Sequence, residues 1–197
     1  MCGRYYIDDD TAKEIEKIVA ELDKKYSNKS YKTGEIFPTN DVPILVAKGK
    51  NIEPEVVKWG FPNFKGNGVI INARSESAFE KKTFRESLVS RRCIIPASGF
   101  FEWNSSKDKI YFMPKEEHIM YMAGIYNVYN NEARFVILTT EANSSIEDIH
   151  NRMPLLLHSN QLDQWVFDDM RTSAILKQTP YLLSRKSDFE QQTLKLF

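Results

Sequence analysis

Apolar positions in the segment TAKEIEKIVAELDKKY recur with a helical period. Ile15, Ile18, Val19 and Leu22 fall on one face of an α-helix, and Thr11 and Glu14 stand at capping-box spacing near its start. A short apolar stretch around Arg4 to Ile7 precedes it and reads as a strand. From there to Lys115 the period changes. Short runs rich in β-branched and aromatic residues, VPILVAK, PEVVKWGF, GVIINAR, CIIPASGFFEW and KIYFM, are cut by glycine, proline and asparagine, and two longer runs follow, HIMYMAGIYNVY and ARFVILTT. Helical segments are expected near Ser75 to Ser90, Ser144 to Ile149 and Gln161 to Leu176. The chain shows no internal repeat, no low-complexity linker and no alternating strand–helix rhythm. The pattern therefore predicts an α+β fold, a single domain over residues 1–197 with a curved, largely antiparallel sheet.

Composition narrows the picture in two respects. Hydrophobic residues at 42% and charged residues at 27% describe a soluble globular chain. Lys plus Arg and Asp plus Glu are both 27, so a polyanionic partner would have to be met by a local patch. Such a patch is suggested between Asn72 and Arg92, where Arg74, Lys81, Lys82, Arg85, Arg91 and Arg92 face only Glu76, Glu80 and Glu86. The nearby Trp59, Phe61 and Phe64 are flat enough to stack on bases, and equally suited to a core. No apolar run approaches the ~18 residues of a membrane span and no signal-like start is present, so a cytoplasmic location with no membrane partner is expected. Cys2 and Cys93 lack metal-ligand spacing, so neither a metal site nor a disulfide is expected, and Cys93 in RRCIIP reads as a buried packing residue.

The chain starts MCGRYY, and removal of Met1 ahead of a small side chain would leave Cys2 as the amino terminus. A terminal cysteine offers an amine and a thiol on adjacent carbons. An aldehyde can condense with the amine and be trapped by sulfur in a five-membered thiazolidine ring. With reference pKa values near 8 and 8.5, both groups supply some nucleophile at neutral pH without special tuning. Three further stretches carry chemistry. In SGFFEW, a strand would turn Phe100 and Glu102 to one face and Phe101 and Trp103 to the other. Glu102 is then either a desolvated carboxyl, raised toward neutrality and usable as a proton shuttle, or an exposed edge residue. In EDIHNRMPLLL, His150 precedes a proline that forces Met153 to be extended, and it is a cleft histidine or a structural one. His118 and His158 read as a surface turn and a loop start. In VIINARSES, Asn72 and Arg74 share one strand face, an amide beside a phosphate-gripping guanidinium, which suits an anionic substrate.

MCGRY, PTN, WGFP, INARSE, RRCIIPASGFFEW and IHNRMPLLL, in this order and rough spacing, resemble the SOS-response-associated peptidase (SRAP) family, whose members process abasic sites in DNA. The match is strongest over residues 2–157, and the tail SRKSDFEQQTLKLF matches weakly. The resemblance implies a SRAP-like domain with a barrel-like core and flanking helices. It implies that Cys2 forms a covalent thiazolidine crosslink with abasic sites in single-stranded DNA, with possible self-removal of Met1 and reversal. It implies catalytic roles for Cys2, Asn72, Glu102 and His150: Asn72 positions the terminus and the deoxyribose, Glu102 shuttles protons, and His150 acts as acid or base at the sugar. Arg4, Trp59 and Arg74 are the DNA-contact candidates, the arginines for phosphate and the tryptophan for stacking. No cofactor is implied, and a monomer is expected. Two alternatives remain: an N-terminal-cysteine amidohydrolase of the class II glutamine amidotransferase type, and a non-catalytic single-stranded DNA-binding module.

Overall fold

The computed structural model describes residues 2–8, 13–26, 30–116 and 119–187. Met1, Thr11 of the expected capping box, His118 and the tail beyond Ser187 lie outside the described residues. In the first half, β1 (Tyr5–Ile7) leads to α1 (Lys13–Lys25), then β2 (Gly34–Ile36), β3 (Asp41–Lys48), β4 (Asn51–Trp59), β5 (Phe61–Pro62), β6 (Val69–Ile70) and β7 (Asn72–Arg74). The second half runs α2 (Lys82–Ser90), β8 (Arg92–Ala97), β9 (Gly99–Trp103), β10 (Lys109–Pro114), β11 (Met120–Tyr129), β12 (Glu132–Glu141), β13 (Arg152–Pro154), β14 (Leu156–Leu157), α3 (Leu162–Phe167), α4 (Asp169–Leu176) and β15 (Leu183–Ser187). The fold is α+β, as the pattern predicts.

Two sheets organise it. In the larger one β3, β4, β12, β11 and β8 close into a five-stranded barrel, antiparallel at every junction except the parallel β4–β12 pair. The long apolar runs of the sequence are these staves, and closure leaves no exposed edge among them. Along the staves Ile44, Val46, Cys93, Ile95, Met122 and Ile137 share one face, and Leu45, Ile94, Ala123, Ile125 and Val136 the other, all within one contiguous core. Cys93 is buried, as expected of a packing residue. The second sheet, in the order β15-β10-β9-β1-β2, carries the amino terminus in its interior.

Local chemistry explains most boundaries. Gly60, at φ +112, ends β4 where an added Cβ would lie 2.7 Å from Val69, so only glycine admits the β5–β6 hairpin. On α1, Ile15 and Leu22 are fully buried while Ile18 and Val19 pack against the same core. The helix end is held to β4 by Lys25 and Tyr26, both bonded to Glu55.

Three expected helices differ. The segment from Ser75 divides into a 3-10 turn (Ser75–Ser77) and α2. Residues 144–149 form a hydrogen-bonded turn, with Asn143 Oδ1 accepting from the Ser145 amide at 3.0 Å and competing with helical pairing. The third is broken at Asp168, whose side chain accepts from the amides of Met170 and Arg171 and starts α4 afresh. The weakly matched carboxyl-terminal segment contributes β15, paired with β10 from Leu183 to Ser187. No helix among the described residues is long and apolar enough to cross a membrane.

Candidate functional site

Cys2 enters the molecule beside β9. The register pairs Tyr5 with Phe100, and the Phe101 amide donates to the Arg4 carbonyl at 2.9 Å, so the glutamate of GFFEW is carried alongside the amino-terminal end of the chain. Alternation along β9 runs as the sequence predicts. Phe100 and Glu102 are buried and Phe101 and Trp103 are half-exposed, which resolves Glu102 as an inward carboxyl at 5% exposure.

Asn72 reaches the same point from the barrel side. Parallel pairing of β7 with β12 sets Ile137 opposite Asn72 and Thr139 opposite Arg74, and buried Ala73 between them keeps the two polar side chains on one face. The Asn72 Nδ2 group donates to the Cys2 carbonyl at 2.9 Å. Its Oδ1 is buried and has no hydrogen-bond partner among the described residues. An acceptor left without a donor in such a place destabilises the fold by about 1–3 kcal/mol, unless something arrives to fill it.

The environment of the thiol departs from the expectation of an untuned nucleophile. Cys2 is fully buried, and burial pushes its thiol far above the ordinary cysteine range. The negative charge of Glu102 pushes it further, while a contact from Sγ to the Arg4 carbonyl at 3.7 Å pulls the other way. The thiol is therefore a protonated group beside a carboxylate, and not a standing thiolate.

His150 stands at the end of the barrel that also carries Arg74, because Thr139 pairs with Arg74 on one side and Pro154 on the other. The Arg152 amide donates to His150 Nδ1 at 3.0 Å. With Nδ1 engaged as an acceptor, the neutral ring carries its proton on Nε2. Arg152 anchors this loop: its guanidinium binds Glu76 through two bonds of 2.7 and 2.9 Å and the Thr139 carbonyl at 2.5 Å.

The DNA-contact candidates fare differently. Arg74 is exposed and Arg4 half-buried, with the Arg4 guanidinium paired to Glu35 at 3.1 Å. Trp59 is corrected by the structure. It has no exposure, its Nε1 donates to the Ile71 carbonyl at 3.0 Å, and its ring packs on Phe135 and Tyr5, so it belongs to the core and cannot stack on a base. Phe61 is equally buried, whereas Phe64, on the turn between β5 and β6, is 83% exposed. The basic run is also thinner than its count, because Arg92 is buried against the carbonyls of Trp165, Leu88 and Val89, and Arg91 pairs with Glu86. Glu35, Phe37 and Lys109, clustered around Arg4, escaped the sequence reading because their motifs show no pattern until the strands are placed side by side. Among the described residues no three His, Cys, Asp or Glu side chains converge on a position that would hold a metal ion.

Comparison with known proteins agrees with this architecture. A crystal structure of a protein from Bacteroides thetaiotaomicron superposes with a TM-score of 0.76 at 24% identity, covering 96% of this chain and 94% of that one. The abasic site processing protein YoqW of Bacillus subtilis is 30% identical over 181 residues, which is 84% of this chain and 80% of YoqW. The abasic site processing protein YedK of Escherichia coli is 28% identical over 177 residues, 84% of this chain and 79% of YedK. The family model described as SOS response associated peptidase (SRAP) matches residues 1–193, and the chain belongs to that family.

Proposed function

We propose that this protein captures abasic sites in single-stranded DNA as a covalent thiazolidine on Cys2. The observation that carries the reading is the seat Asn72 makes for residue 2. One end of its amide holds the Cys2 carbonyl, and the other end is a buried acceptor with no partner among the described residues. Removal of Met1 turns the Cys2 nitrogen from an amide with one N–H into an amine with more, free to turn, and in this reading one of them is donated to this acceptor. The abasic site processing relatives from Bacillus subtilis and Escherichia coli support the choice of an aldehyde-bearing DNA lesion as substrate.

In this reading the amine attacks first, adding its lone pair to the aldehyde carbon of the ring-opened deoxyribose, in keeping with a buried thiol whose proton is hard to remove. Loss of water from the resulting carbinolamine gives an iminium. Sulfur then adds to that carbon while the thiol proton passes to a base, for which the Glu102 carboxylate, close enough to act electrostatically on the thiol, is the candidate. The balance is aldehyde plus aminothiol giving thiazolidine plus water, and release runs the same steps backward. His150, carrying its proton on Nε2, serves the sugar oxygen during ring opening. Arg74 and Arg4 contact phosphate, and exposed Phe64 takes the stacking role that Trp59 cannot.

A form with an unremovable residue ahead of Cys2 tests the assignment. The mature form is expected to give an adduct with an abasic single strand that survives denaturation, and the extended form none. Equal crosslinking by both would refute the thiazolidine.

A further inference from the structure

We propose that Arg4 and Lys109 form a phosphate subsite for the strand beside the lesion, in which Glu35 is a resident anion that the DNA displaces. The inference rests on the reading of the site as one that binds single-stranded DNA, and it adds Lys109, Glu35 and Phe37 to it. Four adjacent strands bring these groups together. Tyr6 pairs with Glu35 on one side and with Gly99 on the other, and Lys109 pairs with Trp103, so β2, β1, β9 and β10 deliver Glu35, Arg4, Trp103 and Lys109 to one region. Arg4 Nη1 and Lys109 Nζ meet the same carboxylate oxygen, Glu35 Oε1, at 3.1 and 2.6 Å.

Two cations on one oxygen is an arrangement suited to a non-bridging phosphate oxygen, and Glu35 neutralises only one of the two charges. Burial alone would push the Glu35 carboxyl up, but hydrogen bonds and charge from Lys109 and Arg4 hold it below the usual carboxylate range, so it is ionised at neutral pH. All three side chains are about one-third exposed, at 29%, 30% and 32%, so an incoming anion can reach them. The cations are also held independently of Glu35. The Arg4 guanidinium lies 4.2 Å from the Phe37 ring and 4.9 Å from the Trp103 ring, and Lys109 Nζ lies 4.0 Å from the Phe101 ring. When the carboxylate swings away, the two donors stay in place, and Phe37, 41% exposed, presents a ring beside the phosphate for a base. Arg4 is two residues from Cys2, so its backbone lies within about 7 Å of that of the reacting residue.

A tethered competitor of this kind makes undamaged strands weak ligands. A strand carrying an aldehyde is retained by its covalent bond, so selectivity comes from the chemistry at Cys2.

The test measures binding of a fluorescent oligothymidine without an abasic site across a salt series, using wild type, Glu35→Gln, Lys109→Gln and the double variant. Glu35→Gln keeps the side-chain shape and is expected to bind severalfold more tightly, with a salt slope steeper by about 0.7 for each additional phosphate engaged. Lys109→Gln is expected to bind more weakly, and the double variant to lose the steepening. Unchanged or weaker binding by Glu35→Gln, with no change in slope, would reduce Glu35 to a structural partner of Arg4 and overturn the subsite. Wild-type crosslinking of an abasic strand, run in parallel, separates the two failures. Normal crosslinking with an unmoved Glu35→Gln slope removes the subsite alone, whereas no binding and no crosslinking removes the functional reading and this inference with it.

Discussion

Replacing Trp59 distinguishes a core role from a DNA-binding one. The side chain is fully buried between Tyr5, at 5.1 Å between ring centroids, and Phe135, at 6.3 Å and 11° between planes, with its indole nitrogen bonded to the Ile71 carbonyl. Truncation to alanine removes roughly 3–5 kcal/mol by loss of burial and creation of a cavity. The abandoned carbonyl adds about 1 kcal/mol. A total of about 4–6 kcal/mol is a large part of the ~5–15 kcal/mol that holds a domain folded, and it lowers the melting temperature by roughly 8–24 °C for a chain of this size. Trp59→Phe keeps an aromatic ring against Phe135 and loses the hydrogen bond and part of the volume, so about 1.5–3 kcal/mol is expected for it. Urea melts of both variants, with single-strand affinity measured well below the transition, separate the roles. The core assignment predicts a lowered midpoint with near-normal affinity for Trp59→Phe. An unchanged midpoint with affinity reduced by about 1–3 kcal/mol, the signature of a lost base stack, would refute it.

Asn72→Ala leaves the Cys2 carbonyl without its donor and the terminus without its seat. Crosslinking should slow by roughly 10- to 100-fold, about 1.4–2.8 kcal/mol in the barrier, with little change in melting, as read by single-turnover gels. Glu102→Gln removes the proton acceptor proposed beside the thiol, and His150→Ala removes the acid or base proposed for the sugar. Forward and reverse rates followed from pH 5 to pH 8 should fall with folding intact, and unaltered rates in both directions would remove these residues from the reaction. Glu55 predicts an acid-sensitive tie between α1 and β4. Burial pushes its carboxyl up, but hydrogen bonds from Lys25, Lys48 and Tyr26 hold it down at about 2, against 4.5 ordinarily. A depressed native value contributes stability that is complete above the unfolded value and is lost as pH falls from about 4.5 toward about 2. With its lysine partners partly exposed, the contribution is on the order of 2 kcal/mol. Urea melts should show Glu55→Gln less stable than wild type at pH 6 and the difference shrinking by pH 2.5.

What could be read before folding depended on whether the signal was local. The long runs CIIPASGFFEW, HIMYMAGIYNVY and ARFVILTT became strands because alternation and β-branching act within a few residues, and Ile15 and Leu22 faced inward because their spacing is helical. That Glu102 shares a strand face with Phe100 was legible for the same reason, whereas the choice between a buried and an exposed face was left to the neighbouring strands. The helix expected near residue 168 broke because the Asp168 carboxylate captures amides after it, and a capping residue inside a helical pattern is easily read as part of the helix. Trp59 sat in a motif where an aromatic suits a base or a core equally, and only the neighbouring strands decide between them. The union of Cys2 with Asn72, of Arg4 with Glu35, and of Glu35 with Lys109 spans separations of 70, 31 and 74 residues, which no local pattern reports. The untuned thiol expected from reference values failed for the same reason, since its burial and its carboxylate neighbour are set by strand pairing.

Intact mass of the purified mature chain after incubation with an abasic single-stranded oligonucleotide tests the central claim most directly. The account predicts a chain beginning at Cys2 and an adduct whose mass is the sum of protein and oligonucleotide less one water, mapping to the amino-terminal peptide and unchanged in mass by borohydride, because a thiazolidine has no imine left to take up two hydrogens. A mature chain that binds the strand yet shows only the masses of free protein and free oligonucleotide, or an adduct that maps to a lysine, would contradict it.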